Sequence, residues 1–185
     1  MSKGRSKEIM LKENDIKKLI EIAIQQLPKA YVPYSNYRVG AALLAKDGTI
    51  YTGCNIENAA YTPCNCAERT AFFKAVSEEV KEFEAICVVG GKGGILTEYA
   101  APCGVCRQVM MEFCNPEEFE IILATSTEQY EIFKLKDLFP MGFSLNINCL
   151  NKILEIKYSG VVADVRSIVV FLLRNRRNKE YYEKV

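Results

Sequence analysis

Two short cysteine segments constrain this chain more than any other feature of its sequence. Residues 63–69 read PCNCAER and residues 102–107 read PCGVCR, and each segment stands where a loop is predicted to enter a helix. The chain has eight cysteines and no histidine, so any metal here must be held by thiolates or carboxylates. A shared ion would require a fold that brings two distant helix starts together.

Length and charge exclude several classes of protein. The 185 residues are enough for one well-packed domain and short for two. With 24 basic and 23 acidic residues, the net charge of +1 gives no general attraction to nucleic acid or to a membrane surface. We find no secretory signal and no apolar run near the ~20 residues that span a membrane, so we expect a cytoplasmic protein whose cysteines are not disulfides.

The hydrophobic pattern predicts an α/β fold. The predicted elements are a helix over 14–27 capped by Asn14 or Asp15, strands over 39–44 and 49–55 around a turn at 46–48, a helix over 67–80, a strand over 85–89, a helix over 104–113, and strands over 119–125 and 130–135. This order indicates a mixed β-sheet of about five strands sandwiched by helices, an α/β/α arrangement. The glycine-rich run 90–94 lacks the spacing of a phosphate-binding loop and is interpreted as a flexible connection.

We expect three regions along the chain. Residues 1–13 form an N-terminal arm, residues 14–147 form the main domain with both cysteine segments, and residues 148–185 form a C-terminal extension of unknown role. The apolar stretch Ile168–Leu173 in the extension indicates that at least these residues pack against another surface.

The cysteine spacing predicts a zinc site with one open position. Cys103 and Cys106 are three residues apart on one helical face, and Cys66 is a better third ligand than Cys64 because it directly precedes the predicted helix. Glu68 then falls in the first helical turn, beside a water on the metal, where a carboxylate can move protons. Arg69 can offset the excess negative charge of three thiolates from the second coordination shell.

The motifs together resemble the zinc-dependent cytidine deaminases, in the three-cysteine form of the small homotetrameric enzymes. The resemblance rests on Cys66-Ala67-Glu68-Arg69, Pro102-Cys103-x-x-Cys106, the segment 34–42 and the segment 53–61, and it covers roughly residues 16–143. It implies one Zn²⁺ per chain and hydrolytic deamination of cytidine or deoxycytidine in pyrimidine salvage. Zinc-bound hydroxide would attack C4 while Glu68 moves a proton to N3 and then to the departing amino group.

Several residues are candidates for binding the nucleoside. Asn55 and Glu57 lie two apart at a strand end and can grip the ribose 3′-hydroxyl, and the carboxylate would repel a 3′-phosphate. This favours a free nucleoside over a base within a polynucleotide. The resemblance implies that Tyr37 stacks on the pyrimidine and that Ala67 also contacts substrate. It further implies that the remaining two candidates, Tyr61 and Phe143, complete the site of a neighbouring subunit in a homotetramer.

Other interpretations remain open at this level. A structural zinc module would use Cys64 as a fourth ligand, and a thiol oxidoreductase would use only Cys103 and Cys106. Within the deaminases, another aminopyrimidine nucleoside such as blasticidin S is the main alternative substrate, and a nucleotide is less favoured because no basic cluster is assigned to a 5′-phosphate. The cysteines outside the proposed ligand set are interpreted as packing thiols: Cys54, Cys64, Cys87, Cys114 and Cys149.

Overall fold

The computed structural model describes residues 11–144. Its elements in chain order are α1 (Glu13–Ile24), a 3₁₀ turn (Leu27–Lys29), β1 (Tyr37–Ala45), β2 (Ile50–Cys54), α2 (Ala67–Ser77), β3 (Phe83–Lys92), α3 (Gly104–Phe113), β4 (Glu120–Ala124), β5 (Tyr130–Lys134) and α4 (Leu135–Leu138). The predicted C-terminal extension, with Ile168–Leu173, and most of the predicted N-terminal arm lie outside the described residues. Within 11–144, no helix combines the length and apolar character needed to cross a membrane.

The five strands form one mixed sheet in the order β2-β1-β3-β4-β5. The β1/β2, β1/β3 and β4/β5 pairs are antiparallel, and β3/β4 is parallel. The parallel pair is possible because α3 carries the chain back across the sheet between the two strands. The predicted mixed sheet, with an antiparallel hairpin at each end, is confirmed.

Helices cover both faces of the sheet. On one face α1 buries its apolar stripe in a cluster that includes Leu19, Ile20, Ala42, Cys87 and Ile122. On the other face α2 and α3 pack in a second cluster that includes Phe72, Met110, Leu43, Ile86 and Ile121. Neighbouring residues of each strand contribute to opposite clusters, as the two-residue period of a strand requires. The α/β sandwich is therefore built as predicted, and it fixes where α2 and α3 begin.

The first helix starts earlier than its capping residues predict. Asn14 and Asp15 lie inside α1, whereas Lys12 is the residue that caps it. The backbone N–H groups of Asp15 and Ile16 both donate to the Lys12 carbonyl, so the backbone closes the first turn without a side-chain cap. The predicted capping role of Asn14 or Asp15 was wrong.

The glycine-rich segment is also more ordered than predicted. Gly90 and Gly91 are not a flexible connection, since they belong to β3 and pair with Val39 and Arg38 of β1. A Cβ atom at Gly91 would lie 1.9 Å from the carbonyl oxygen of Ile95, so the following chain can fold back against the strand only because glycine stands there. Gly90 and Gly91 therefore extend β3, and the missing side chain at Gly91 lets the backbone of Ile95 pack against the strand.

Candidate active site

Three cysteine sulfurs meet where α2 and α3 begin. Cys66 and Cys103 are the capping residues of the two helices, and Cys106 lies in the first turn of α3. The Sγ atoms of Cys66 and Cys103 are 3.9 Å apart, and those of Cys103 and Cys106 are 3.5 Å apart. Neither capping thiol makes a side-chain cap hydrogen bond to its helix. Both thiols are therefore available to a metal.

The spacing and chemistry of these sulfurs fit a zinc ion. A tetrahedral zinc ion with Zn–S bonds of about 2.3 Å places its sulfur ligands roughly 3.8 Å apart. Within residues 11–144, Cys66, Cys103 and Cys106 are the one group of cysteines and acidic residues whose ligand atoms all lie within 4.8 Å of one another. Cys106 is buried and Cys103 is exposed, so the cluster reaches from the core to the surface. Three thiolates would leave a fourth position for another ligand.

Cys64 is held in a different way. Its Sγ accepts a hydrogen bond from the backbone N–H of Asn58 at 3.1 Å, which closes the loop between the two residues. It does not belong to the three-sulfur group. This arrangement supports Cys64 as a loop-closing thiol, and it argues against a closed four-thiolate module.

Within the cluster, the thiolate form is favoured at Cys66. The hydrogen bond from the Cys106 thiol, together with the neighbouring Arg69 guanidinium, lowers the pKa of Cys66 to about 5. The same hydrogen bond and burial raise the pKa of the Cys106 thiol. The thiolate form is thus favoured at Cys66 over Cys106, and a bound divalent cation would favour loss of the proton from a thiol that binds it.

Arg69 touches the cluster directly. Its Nη2 donates to Cys66 Sγ at 3.7 Å and to the Cys64 carbonyl oxygen at 3.1 Å. Its Nε is buried and has no hydrogen-bond partner among the described residues. The contact with a ligand sulfur is the arrangement expected of a cation that offsets thiolate charge.

Glu68 is a buried acid beside the sulfurs. It lies in the first turn of α2, two residues after Cys66, and only 4% of its surface is exposed. Burial raises the pKa of its carboxyl group, and the negative charge of Cys66 acts in the same direction. A carboxyl group whose pKa is raised in this way is suited to act as both proton acceptor and proton donor.

Asn55 hydrogen-bonds the first residues of β1, and Glu57 hydrogen-bonds the segment just before that strand. The Asn55 side chain accepts from the Val39 N–H and donates to the Tyr37 carbonyl oxygen, each at 2.8 Å. Glu57 accepts from the N–H of Tyr34 at 3.0 Å, and hydrogen bonds from Ser35 and Tyr34 lower the pKa of its carboxyl group. The two side chains therefore organise the strand end as well as being candidates for the ribose.

The remaining substrate candidates differ in exposure. Tyr37 is half-buried, and burial raises the pKa of its phenol, with the Glu98 charge adding to the effect. The side chain of Ala67 is buried in the core, which leaves any substrate contact to its backbone. Tyr61 and Phe143 are 80% and 69% exposed. The side chains of Tyr61 and Phe143 therefore lie on the surface, and neither is enclosed in a site within one subunit.

Two polar residues near the cluster were missed by the sequence analysis. Asn65 donates from Nδ2 to the Thr70 hydroxyl at 3.1 Å, and Thr70 lies 3.1 Å from the carbonyl oxygens of both Cys54 and Cys66. The one available signal was local: a threonine four residues into a helix can bond back to the carbonyl of the residue before the helix. The contact with Cys54 could not be read from that spacing.

Comparison with known proteins gives the family of this chain. A family model described as the cytidine and deoxycytidylate deaminase zinc-binding region matches residues 13–121. The cytidine deaminase of Sporosarcina psychrophila is 51% identical over 130 residues, which cover 70% of this chain and 92% of that protein. The chain belongs to the cytidine deaminase family. The metal of the family is zinc, and the Cys66, Cys103 and Cys106 cluster is the group of described residues that can hold it.

Other members of the cytidine deaminase family agree in sequence and in fold. The cytidine deaminase of Mycobacterium tuberculosis is 43% identical over 124 residues, covering 67% of this chain and 86% of that protein. The crystal structure of the cytidine deaminase from Burkholderia pseudomallei superposes with a TM-score of 0.62 at 46% identity, covering 68% of this chain and 97% of that chain. The match confirms the predicted family and the mixed α/β fold.

Proposed function

We propose that this protein is a cytidine deaminase that hydrolyses cytidine or deoxycytidine to uridine or deoxyuridine and ammonia. The observation that carries the proposal is a cluster of three thiols, matched in spacing to zinc, beside the buried carboxyl group of Glu68. We assign the metal to Cys66, Cys103 and Cys106. When bound, one Zn²⁺ per chain would orient a water molecule and lower its pKa.

Glu68 is the proton carrier in this proposal. Its carboxylate takes a proton from the attacking water and delivers it to N3 of the cytosine ring. The water oxygen bonds to C4, and Glu68 then moves the second proton to the amino nitrogen as the C4–N bond breaks. Burial of Glu68, which raises the pKa of its carboxyl group, suits a residue that must both hold and release a proton.

Arg69 supports the same chemistry without touching the substrate. Three thiolates and one Zn²⁺ sum to −3 + 2 = −1, and this excess negative charge opposes deprotonation of the water. The hydrogen bond from Arg69 to Cys66 Sγ places a positive charge against one of these ligands. We infer that Arg69 draws electron density from the sulfur and so keeps the metal acidic.

The ribose and the base are assigned to the strand ends beside the cluster. We infer that Asn55 and Glu57 bind the 3′-hydroxyl, since the lowered pKa of Glu57 keeps its carboxylate charged and able to accept a strong hydrogen bond. The same charge would repel a 3′-phosphate, which favours a free nucleoside. Tyr37 stacks on the pyrimidine, and the backbone of Ala67 supplies a further contact.

We further propose that the active protein is a homotetramer. Tyr61 and Phe143 carry large apolar rings on the surface of the described unit, where they contribute little to its own core. Both are suited to enter the site of a neighbouring subunit. We place the enzyme in the cytoplasm, in pyrimidine salvage, because the free thiols of its metal site require a reducing compartment. The domain is assigned to residues 14–147, with the extension 148–185 given no role.

A substrate panel tests the proposal. Purified zinc-loaded protein is incubated separately with cytidine, deoxycytidine, cytidine 5′-monophosphate, blasticidin S and a single-stranded oligonucleotide containing cytosine, and released ammonia is measured. We expect ammonia from the two free nucleosides at rates well above those for the nucleotide and the oligonucleotide. Faster turnover of blasticidin S would assign the site to a different aminopyrimidine. Equal rates on the oligonucleotide and cytidine would contradict the role given to Glu57.

A further inference from the structure

We propose that Thr70 is a positioning residue that fixes the ribose-binding strand end against the metal-binding helix start. The inference rests on the proposed function, because it assigns the two ends of the nucleoside to those two elements. Thr70 is neither a metal ligand nor a substrate-binding residue in that assignment. Its positioning role follows from the hydrogen bonds that its hydroxyl group makes to both elements.

The Thr70 hydroxyl connects three backbone or side-chain groups. It lies 3.1 Å from the carbonyl oxygen of Cys54 and 3.1 Å from that of Cys66, and it accepts a hydrogen bond from Asn65 Nδ2 at 3.1 Å. Cys54 is the last residue of β2 and directly precedes Asn55. Cys66 is the residue before α2 and a proposed zinc ligand. One half-buried hydroxyl therefore touches both sides of the site.

The strand and the helix approach so closely at this point that their relative position is sharply defined. A Cβ atom at Gly53 would lie 2.1 Å from the carbonyl oxygen of Ala67 and 2.7 Å from the backbone nitrogen of Ala71. One turn further along α2, Lys74 Nζ donates to the carbonyl oxygen of Thr52 at 2.6 Å. Packing thus sets the separation of β2 and α2, and the hydrogen bonds to strand carbonyls set how far one can slide along the other.

The ribose segment is attached to the same point. Ile56, between the two proposed ribose ligands, exchanges a pair of backbone hydrogen bonds with Asn65, each at 2.9 Å. The side chain of Asn65 donates a hydrogen bond to the Thr70 hydroxyl group, and Asn65 directly precedes Cys66. A shift of the Thr70 contacts would therefore move Asn55 and Glu57 relative to the sulfurs.

This geometry has a kinetic consequence that depends on the 3′-hydroxyl. A nucleoside held at its ribose by Asn55 and Glu57 presents C4 at a fixed distance from that grip. Misplacing one end relative to the other by a fraction of an ångström to 1 Å can cost up to about 100-fold in rate. A nucleoside without the 3′-hydroxyl lacks the grip, so its reaction is much less sensitive to the register of the two elements.

The test compares two substrates across matched variants. Thr70→Val removes the hydroxyl group at nearly constant side-chain shape, and Thr70→Ser keeps a hydroxyl group at this position. Ser77→Ala is the control, because Ser77 Oγ also donates to a backbone carbonyl oxygen, that of Lys74 at 2.7 Å, but at the exposed end of the same helix. For each zinc-loaded protein, kcat and KM are measured with cytidine and with 2′,3′-dideoxycytidine. Zinc content and the midpoint of thermal unfolding are measured alongside.

We expect Thr70→Val to keep about one zinc per chain and to lose about tenfold in kcat/KM for cytidine. The loss for dideoxycytidine should stay within about threefold. Thr70→Ser should recover most of the cytidine activity, and Ser77→Ala should match wild type with both substrates. The ratio of the two losses is informative because general destabilisation would affect both substrates alike.

Three results would overturn the positioning role. Equal losses with both substrates would reduce Thr70 to a structural residue, and loss of zinc from Thr70→Val would assign it to the metal site alone. Unchanged activity of Thr70→Val with cytidine would show that Thr70 has no positioning role. Wild-type protein that holds zinc and deaminates neither nucleoside would instead contradict the proposed function, and the positioning role would fall with it.

Discussion

Arg69 Nη2 donates a hydrogen bond to Cys66 Sγ at 3.7 Å, so a permanent positive charge rests against one of the three sulfurs proposed to bind zinc. Both residues belong to the start of α2, where Cys66 caps the helix and Arg69 lies in its first turn. The contact explains how a site without histidine ligands can offset the charge of three thiolates. Helix start, ligand and compensating charge all come from one stretch of four residues.

Two substitutions of Arg69 should separate the effect of its positive charge on activity from the effect of its hydrogen-bond geometry. Arg69→Gln removes the cation, and we expect kcat/KM for cytidine to fall about 10- to 100-fold, the range found for partners of metal ligands. The acid limb of the pH–rate profile should move to higher pH, because a more negative site raises the pKa of the attacking water. Arg69→Lys keeps the charge and should lose less. A profile that does not move in Arg69→Gln would contradict the charge-compensation role.

Serine substitutions should distinguish the metal-binding cysteines from Cys64. We expect Cys64→Ser to retain about one zinc per chain and most of its activity, because a serine hydroxyl can still accept the Asn58 N–H. Cys106→Ser should lose zinc and activity together, since it removes a buried sulfur of the cluster. The measurement is zinc content by atomic absorption after dialysis. Loss of zinc from Cys64→Ser would revive the four-cysteine module.

Mixing two inactive variants should restore activity if subunits complete each other's sites. A Glu68→Gln subunit lacks the proton carrier but still supplies the Phe143 ring to its neighbours. A Phe143→Ala subunit keeps the proton carrier but cannot supply the ring. After co-refolding, mixed assemblies contain Phe143→Ala subunits whose sites receive an intact ring from a neighbour. We expect activity well above that of either variant alone, together with a native mass of four chains by light scattering. Activity no greater than that of the two separate variants would place Phe143 outside the neighbouring site.

Much of this fold could be predicted because its signals are local. The bounds of α3, Gly104–Phe113, agree with the prediction, and the hairpin around Gly48 follows from its turn residues. Residues close in sequence, such as Cys66 with Glu68 and Cys103 with Cys106, were correctly expected at helix starts. Periodicity and capping chemistry carry such information within one turn or one strand.

The contacts that depend on packing between elements could not be predicted in the same way. Thr70 meets the Cys54 carbonyl 16 residues away, and Gly91 is a strand residue because it pairs with Arg38 of β1. The loop-closing role of Cys64 likewise appears only once Asn58 is folded over it. In each case the contact depends on how the chain folds back on itself, so spacing along the chain gave no signal.

The most direct test of the account compares wild type with Glu68→Gln. Zinc content is determined on both proteins, and each is mixed with cytidine while the ultraviolet absorbance of the cytosine ring is followed. The account predicts about one zinc per chain in both, turnover by wild type, and a loss in Glu68→Gln of at least the roughly 10²- to 10⁴-fold that a general acid–base contributes. A zinc-loaded Glu68→Gln variant that deaminates cytidine at the wild-type rate would contradict the central claim.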